Sequence, residues 1–259
     1  EVERQILGYF ELENEATALD KKPPEVPAAR AYSTSSEHID EIAVSLLEDE
    51  QDEWNAYVEK QPAATIHHRA EWRELMQTTY GHDSFYFLAR DNNGHIVGIL
   101  PLIRLKSRLF GDFLVSMPYF QRGGAVAEHP GIEQKLMQAA NDRAATLGIE
   151  HIEYRDDVPR EGLSARTEKV NMVLSLPDSP EALRDGSTAK LRAQIRRPQR
   201  ENPHILLGGQ EHLDDFYRVY ARNMRDLGSP PHSKRFVRNI LERFPENSWL
   251  IVLRLNNRP

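Results

Sequence analysis

The feature that most constrains the fold is an internal repeat, because residues 68–93 recur at the end of the chain after a shift of 164 positions. The matched pairs are His68 with His232, Trp72 with Phe236, Met76 with Ile240, Tyr80 with Phe244 and Ser84 with Ser248. Solenoid repeats are only ~20–50 residues long. The long period therefore predicts a duplicated domain, and chance similarity between two helix-then-strand units is the alternative.

The first copy predicts a helix that ends near Tyr80, followed by strands Phe85–Ala89 and Ile96–Leu105 around an Asn-Gly turn. Pro101 interrupts the second strand and cannot donate a backbone hydrogen bond, so we expect a bulge there or a neighbour that splays away. The second copy stops after its first strand, and a hairpin with one arm does not fold alone. We therefore expect the second domain to be incomplete in this chain.

The remaining pattern predicts a mixed α+β protein. The predicted domains are a Pro-rich tail or linker at 1–37 with one short helix, a first domain at 38–177 and the start of a second at 178–259. The pattern predicts a helix in Glu41–Lys60 with Trp54, Tyr57 and Val58 inward, a strand at Phe113–Met117 and a helix at Ile132–Leu147 that ends at Gly148. It then predicts strands at His151–Arg155 and Val170–Leu176, a helix from Ser187 and a strand at Ile205–Leu207. Two further helices are predicted at Gln210–Leu227 and Ser233–Phe244.

Composition excludes several classes of function. The net charge of −7 argues against a general nucleic-acid coat, so a polyanion site must be a local basic patch. Cysteine is absent, which excludes disulfides, thiolate metal sites and a cysteine nucleophile. No apolar run approaches the ~20 residues that a membrane helix needs. The histidines are scattered and the adjacent His67 and His68 have no evident partners, so we expect no metal.

The first candidate site lies between a predicted strand end at Ser116–Tyr119 and a glycine pair, Gly123 and Gly124. Glycines in such a place let backbone N–H groups approach an anion or an acyl carbonyl. However, seven residues separate Gly124 from the next predicted helix. A plain glycine turn is therefore the alternative.

The second candidate site is a basic helix in a net-acidic chain. Its cations are Lys190, Arg192, Arg196 and Arg197, and arginine suits bidentate contacts to phosphate. Leu191 and Ile195 are four apart and are predicted to face a core. A solvated helix face is the alternative.

The third candidate site is the helix Gln210–Leu227, in which Arg218, Arg222 and Arg225 share one face. Leu213, Phe216, Tyr220, Met224 and Leu227 form its predicted buried stripe. An ion pair of Arg218 with Asp214 and the favourable position of Arg225 at a helix end explain the arginines equally well.

Taken together, several stretches resemble the FemAB-like branch of the GNAT acyltransferase superfamily, and more narrowly the FemAB-related proteins of PEP-CTERM/exosortase and exopolysaccharide systems. The stretches are 64–72, 80–82, 97–102, 106–111, 114–120, 123–124, 190–198 and 221–228. The resemblance covers roughly residues 50–259, in order. It implies tandem GNAT-like acyltransferase domains, in agreement with the repeat.

The resemblance also implies acyl or aminoacyl transfer to an amine, with acyl-coenzyme A or aminoacyl-tRNA as co-substrate and no metal. The acceptor would be a small-molecule or polymer-precursor amine of the cell envelope or of an exopolysaccharide system. If tRNA carries the acyl group, tRNA would be a partner. The location of the protein would be cytoplasmic. By matching motif position, the expected cleft residues are His68, Tyr119, Gly123, Gly124, Arg196 and Arg225. Tyr119 would position the amine or relay its proton, with Glu153 as a candidate base. The alternative is a catalytically silent GNAT-like module that binds a polymer precursor or a protein partner.

Overall fold

The duplicated stretch folds twice into the same strand–helix–helix–strand unit. The first unit comprises β1 (Ala43–Leu46), α1 (Gln51–Lys60), α2 (Glu71–Tyr80) and β2 (Ser84–Arg90). The second comprises β7 (His204–Gly208), α6 (Leu213–Asp226), α7 (Lys234–Arg243) and β8 (Leu250–Arg254). In both units the two strands pair antiparallel. The structure therefore extends the repeat upstream to a strand and a helix that sequence matching did not include.

The structure, a computed structural model, describes residues 36–109, 111–156, 160, 162–166, 172, 174–256 and 258–259. The other elements are β3 (Ile96–Ser107), β4 (Gly111–Val115), β5 (Val126–Ala127), α3 (Pro130–Leu147), β6 (Ile152–Glu153), α4 (Pro180–Asp185) and α5 (Ala189–Gln199). Short 3₁₀ helices occur at Ser36–Glu41, Ile66–His68 and Gln210–His212. The predicted tail helix lies outside the described residues.

The first unit belongs to a six-stranded mixed sheet. Its strand order is β1-β2-β3-β4-β6, with β5 paired to β3. All neighbours are antiparallel except β4 and β6, which are parallel. Strands β7 and β8 form a separate two-stranded sheet. The predicted mixed α+β class is confirmed.

Helices cover both faces of the large sheet. On one face, α1 and α2 bury Trp54, Trp72 and Met76 against the sheet. The Trp54 indole N–H donates to the His68 carbonyl at 2.6 Å, so the buried ring has a polar partner. On the other face, α3 presents the apolar stripe Ile132, Leu136, Ala140 and Ala144. Gly148 ends α3 with a φ of 68°, as predicted.

Pro101 lies where the sheet divides. Beyond β3, strand β4 pairs with Ile103–Ser107, whereas β5 pairs with Gly98 and Ile99. The Leu47 N–H donates to the Tyr86 carbonyl, so the polar groups of Tyr86 face β1. Tyr86 is opposite Pro101, and the missing N–H of Pro101 therefore points towards the gap between β4 and β5. The predicted splay is confirmed.

Four predictions about elements and their burial were wrong. The helix predicted for Glu41–Lys60 includes a strand, because residues 43–46 pair with β2 and tertiary pairing overrides local propensity. In the predicted strand at 170–176, Met172 and residues 174–176 are exposed and not in a strand, while 170, 171 and 173 lie outside the described residues. The side chains of Leu191 and Ile195 are 45% and 43% exposed, because no described element covers that side of α5. In α6, Leu213 is buried but Leu227 is exposed.

Helices α2 and α7 hold corresponding places in the two units and pack on each other. The ring centroids of Trp72 and Phe244 are 4.7 Å apart, and those of Tyr80 and Phe236 are 5.4 Å apart. The shift of 164 takes Trp72 to Phe236 and Tyr80 to Phe244, so each contact is the symmetry copy of the other. Reciprocal contacts of this kind are typical of a two-fold related interface.

Candidate functional site

A strained loop follows β4 at the junction of the two units. Met117 and Tyr119 have φ values of 53° and 73°, in the left-handed region that side chains with a Cβ disfavour. The loop is held in place by Arg155, whose guanidinium donates to the Phe120 carbonyl at 2.7 Å and whose N–H donates to the Ser116 hydroxyl at 2.7 Å. Strain of this kind persists where the surroundings fix it, and it concentrates at functional sites.

The Tyr119 side chain belongs to a cluster drawn from both units, which we call the junction cluster: Tyr80, His82, Tyr119 and His232. The Tyr119 hydroxyl lies 3.1 Å from His82 Nε2, and its ring meets the His232 ring edge-on at 4.8 Å. The Tyr80 hydroxyl lies 3.4 Å from His232 Nδ1. Tyr119 is 38% exposed, so the cluster is open to solvent.

Burial sets the protonation of the junction cluster. It lowers the pKa of His82, against an opposing effect of Asp83, and it also lowers the pKa of His232. Burial raises the pKa of Tyr80 and of Tyr119. At pH 7 the cluster therefore combines neutral imidazoles with protonated phenols. Such a pair can accept a proton at the ring nitrogen and donate a hydrogen bond from the hydroxyl.

The His232 ring is positioned through its backbone. The Tyr217 hydroxyl donates to the His232 carbonyl at 3.0 Å, and the His232 N–H donates to the Tyr220 hydroxyl at 3.1 Å. The next residue, Ser233, caps α7 by accepting from the Phe236 N–H. Helices α6 and α7 thus fix the place of His232 against Tyr119.

His68, a predicted cleft residue, is buried away from solvent at 2% exposure. The Thr65 N–H donates to its Nδ1 at 2.9 Å, and its Nε2 lies 3.1 Å from the Gly124 carbonyl. Because Nδ1 accepts, Nε2 carries the proton and donates to that carbonyl. His68 therefore holds the glycine pair in place through the Gly124 carbonyl. A contact of His68 with a ligand stays a prediction.

The structure gives a packing reason for both glycines. The N–H groups of Gly123 and Gly124 donate to the Arg155 carbonyl, each at 3.1 Å. A Cβ on Gly124 would lie 1.8 Å from Asp156 Oδ1, and one on Gly123 would lie 2.4 Å from the Met117 Cβ. Close approach to the Met117 Cβ therefore requires glycine at position 123, and a side chain at position 124 would displace the Asp156 carboxylate from Arg160. A role for these amides in binding the acyl donor stays a prediction.

A buried ion cluster occupies the start of α3. Arg160 Nε lies 2.5 Å from Asp156 Oδ2, and Arg160 also pairs with the Glu133 carboxylate. Glu133 is in the first turn of α3, where the helix dipole favours a negative charge. The N-terminal end of this helix therefore already carries a carboxylate.

The other predicted site residues lie outside the junction cluster. Glu153 Oε1 accepts from Arg155 Nε at 2.8 Å, and Arg225 pairs with Asp226 at 2.9 Å. Lys190, Arg192, Arg196 and Arg197 lie on α5, which buries no residue. No hydrogen bond, ion pair or ring contact within the described part of the chain joins α5 to the junction cluster. The roles of these residues stay predictions.

Tyr80, His82 and His232 were not among the site residues predicted from the sequence. Two signals were nevertheless present, since Tyr80 and His82 lie in a stretch that carries the family resemblance and His232 is the repeat partner of His68. Among the described residues, no group of three or more His, Cys, Asp or Glu is arranged to hold a metal ion. None of the described helices combines the length and the apolar character required to traverse a bilayer.

Comparison with known proteins identifies a shared fold. No protein-family model and no curated protein sequence matches the chain. The crystal structure of FemX aligns with 82% of this chain at 16% identity and a TM-score of 0.59, and the chain spans 58% of the length of FemX. At this identity the likeness shows the fold alone, and the chain has a mixed α+β fold of the FemX kind.

Smaller acetyltransferases align with about half of the chain. A GNAT family acetyltransferase from Staphylococcus aureus subsp. aureus USA300_TCH1516 covers 52% of this chain and 99% of its own, at 13% identity and a TM-score of 0.36. Ribosomal-protein-alanine N-acetyltransferase from Brucella melitensis biovar Abortus 2308 covers 52% and 99%, at 16% identity and a TM-score of 0.35. The internal repeat itself is consistent with GNAT-like units in tandem.

Proposed function

We propose that the chain is an N-acyltransferase or aminoacyltransferase whose reaction takes place at the junction cluster. The observation that carries the proposal is the strained, partly exposed Tyr119, held between His82 of the first unit and His232 of the second. The FemX-like fold supports it as a scaffold.

The chemistry needs few groups. The acceptor amine loses a proton and attacks the acyl carbon, a C–N bond forms, and the C–O or C–S bond to the donor breaks. In the proposed mechanism His82 accepts the proton, directly or through the Tyr119 hydroxyl, and returns it to the leaving group. The Tyr119 hydroxyl also donates to the oxygen of the tetrahedral intermediate as negative charge develops there.

The donor and acceptor are proposed on narrower grounds. The sequence resemblance favours acyl-coenzyme A or aminoacyl-tRNA as donor and an amine on a cell-envelope or exopolysaccharide precursor as acceptor. A link to PEP-CTERM/exosortase systems, and a cytoplasmic location, rest on that resemblance alone. The same holds for the proposed donor-binding residues Lys190, Arg192, Arg196, Arg197 and Arg225.

The test is transfer of a labelled acyl group from each donor class to amine acceptors, using Tyr119→Phe and His82→Gln. General acid–base groups contribute roughly 10²–10⁴-fold, so each variant should lower kcat by about two orders of magnitude or more. His95→Gln is the matched control, because His95 lies at the hairpin turn and its side chain is 77% exposed. Wild-type kcat in both Tyr119→Phe and His82→Gln would refute the proposed site.

A binding module without catalysis is the second candidate. It is favoured by the loop after β4 and the start of α3, where the Gly123 and Gly124 amides donate to the Arg155 carbonyl and Glu133 pairs with Arg160. Both positions that could bind an anion are thus used internally. A ligand that raises the melting temperature by mass action, with no turnover of any donor, would support this candidate over the transferase.

A further inference from the structure

The loop that contains Tyr119 is attached at both ends to one residue, Arg155, which follows β6. At the start of the loop, the Arg155 N–H donates to the Ser116 hydroxyl at 2.7 Å. At its end, the Arg155 carbonyl accepts from the N–H groups of Gly123 and Gly124, each at 3.1 Å. These contacts use backbone atoms of Arg155, so a change of its side chain leaves them in place.

The Arg155 side chain makes a separate contact in the middle of the loop. Its Nη1 donates at 2.7 Å to the carbonyl of Phe120, the residue directly after Tyr119. The Phe120 ring packs against Trp72, with centroids 4.6 Å apart, and Met117 is fully buried. Tyr119 lies between these two anchored residues with a φ of 73°, a conformation that is disfavoured about 5- to 30-fold for a residue with a Cβ. The side-chain contact therefore supports the strained part of the loop.

Glu153 determines where the Arg155 guanidinium lies. The two residues are two apart along the chain at the end of β6, so their side chains point to the same face of the sheet. Glu153 Oε1 accepts from Arg155 Nε at 2.8 Å, while Nη1 of the same guanidinium donates to the Phe120 carbonyl. Because the donors of a guanidinium lie in one rigid plane, the carboxylate orients the group that holds the loop.

The Glu153–Arg155 pair is too open to solvent to contribute much to folding. The side chains of Arg155 and Glu153 are 31% and 32% exposed, and ion pairs of this kind contribute little to stability. The contact of the pair with the loop lies one residue from Tyr119, on which the proposed reaction depends. A role in placing Tyr119 explains this position better than a role in stability.

We infer that Arg155, oriented by Glu153, is a positioning residue that keeps Tyr119 in its strained conformation beside His82. The inference rests on the proposed function and gives Glu153 a role other than that of the base. Without the guanidinium, Tyr119 can leave the left-handed region, and few molecules keep the productive arrangement. Arg155→Met should therefore lower kcat about 5- to 30-fold, and KM should change little because no contact with substrate is lost.

Conservative variants and a matched control separate positioning from other roles. Arg155→Lys keeps the charge without the planar fork of donors and should recover part of the loss. Glu153→Gln keeps an oxygen that accepts from Arg155 Nε and should retain most of the activity, whereas Glu153→Ala should resemble Arg155→Met. The control is Arg90→Met, because Arg90 joins the Glu53 carboxylate to the Gly94 carbonyl in the same way at the β2–β3 turn. It should leave kcat unchanged.

The place of Tyr119 can be measured without turnover, by NMR of protein with isotope-labelled tyrosine rings. The Tyr119 signal is the one absent from Tyr119→Phe. It should shift in Arg155→Met and Glu153→Ala and stay unchanged in Arg90→Met. Melting temperatures should fall by no more than about 3 °C, because only solvent-exposed pairs are removed. If Arg155→Met does not fold, Glu153→Ala provides the same test, since it removes no contact to the loop.

Two results would overturn the inference. One is a Tyr119 signal that is unchanged in both Arg155→Met and Glu153→Ala. The other is a loss of kcat in Glu153→Gln as large as in Glu153→Ala, with the Tyr119 signal of Glu153→Gln unchanged, which would make Glu153 the base. A wild-type chain that transfers no acyl group would instead contradict the proposed function, and the Tyr119 signal would still decide whether Arg155 places that side chain.

Discussion

The two copies of the repeat share their local structure but not their surroundings. In the first unit, the β2 face that contains Phe87 is covered by α3. In the second, the corresponding β8 face, with Ile251 at the position of Phe87, is exposed within the described structure. The opposite face is buried in both units, since Leu250 packs with Leu213 and Leu241. A repeated sequence pattern therefore determines which residues share a face, and the neighbouring elements determine whether that face is buried.

The largest difference should come from the matched positions Phe87 and Ile251. Phe87→Ala should lower the free energy of unfolding by about 3–5 kcal/mol, because it leaves a cavity beneath α3. Ile251→Ala should change it by about 0.5 kcal/mol or less, as expected for an exposed site. Urea unfolding followed by circular dichroism measures both. A similar loss at the two positions would show that the Ile251 face is also covered.

The ion pairs offer a second contrast. Glu133→Ala should destabilise the protein by roughly 3 kcal/mol, because it removes one partner from a buried pair with Arg160. Asp226→Ala removes the partner of exposed Arg222 and Arg225 and should cost about 0–1 kcal/mol. The same unfolding measurement applies, in low and high salt. Equal costs would contradict the difference in burial.

A third contrast concerns pH. His67 stacks on Phe120 at 4.1 Å, and burial, with smaller effects of His68 and Arg122, lowers the pKa of His67 to about 4. Between pH 6.5 and 4 the unfolded chain binds a proton that folded His67 does not, so stability falls as pH decreases through this range. The repeat partner of His67 is Pro231, which does not titrate.

Melting temperatures between pH 7 and 4.5 test the effect of His67. The loss of stability should be smaller in His67→Phe, which keeps an aromatic ring against Phe120. His95→Gln, at an exposed histidine, should follow the wild type. An unchanged pH dependence in His67→Phe would assign the loss to other groups.

The smallest effect tests the symmetry of the junction itself. Double-mutant cycles for Trp72 with Phe244 and for Tyr80 with Phe236, using leucine replacements, should each give a coupling of about 0.5–1.5 kcal/mol. Because the two contacts are symmetry copies, the couplings should be of similar size. Coupling in only one pair would show that the two contacts share their geometry but not their interaction energy.

Sequence reasoning succeeded where local chemistry decides the structure. Gly94 and Gly148 allow the positive φ angles of the hairpin turn and of the end of α3, and Pro101 lacks the N–H that a neighbouring strand would need. These effects depend on the residue itself and can be predicted without knowing its surroundings. The strand at 43–46 was missed because four residues of weak alternation gain their conformation from pairing with β2. The exposure of Leu191 and Ile195 was missed because periodicity identifies an apolar face without showing what covers it.

The candidate site was less accessible to prediction than the fold. Tyr119 was selected from the family resemblance and its place at a predicted strand end, whereas the contact of Tyr80 with His232 joins residues 152 positions apart. A contact at that distance depends on how α2 and α7 pack. Recognition that the repeat brings equivalent helices together would have been the one route to it from sequence.

The anchoring of His232 has a consequence for how this protein tolerates change. Its N–H and carbonyl are held by Tyr220 and Tyr217, both on the inner side of α6. The outward positions of that helix, such as Arg218 and Arg222, take no part in the anchoring. A saturation scan of α6 should therefore show that positions 218 and 222 accept almost any residue, whereas positions 217 and 220 accept only tyrosine, because the hydroxyl of each makes a hydrogen bond to the His232 backbone.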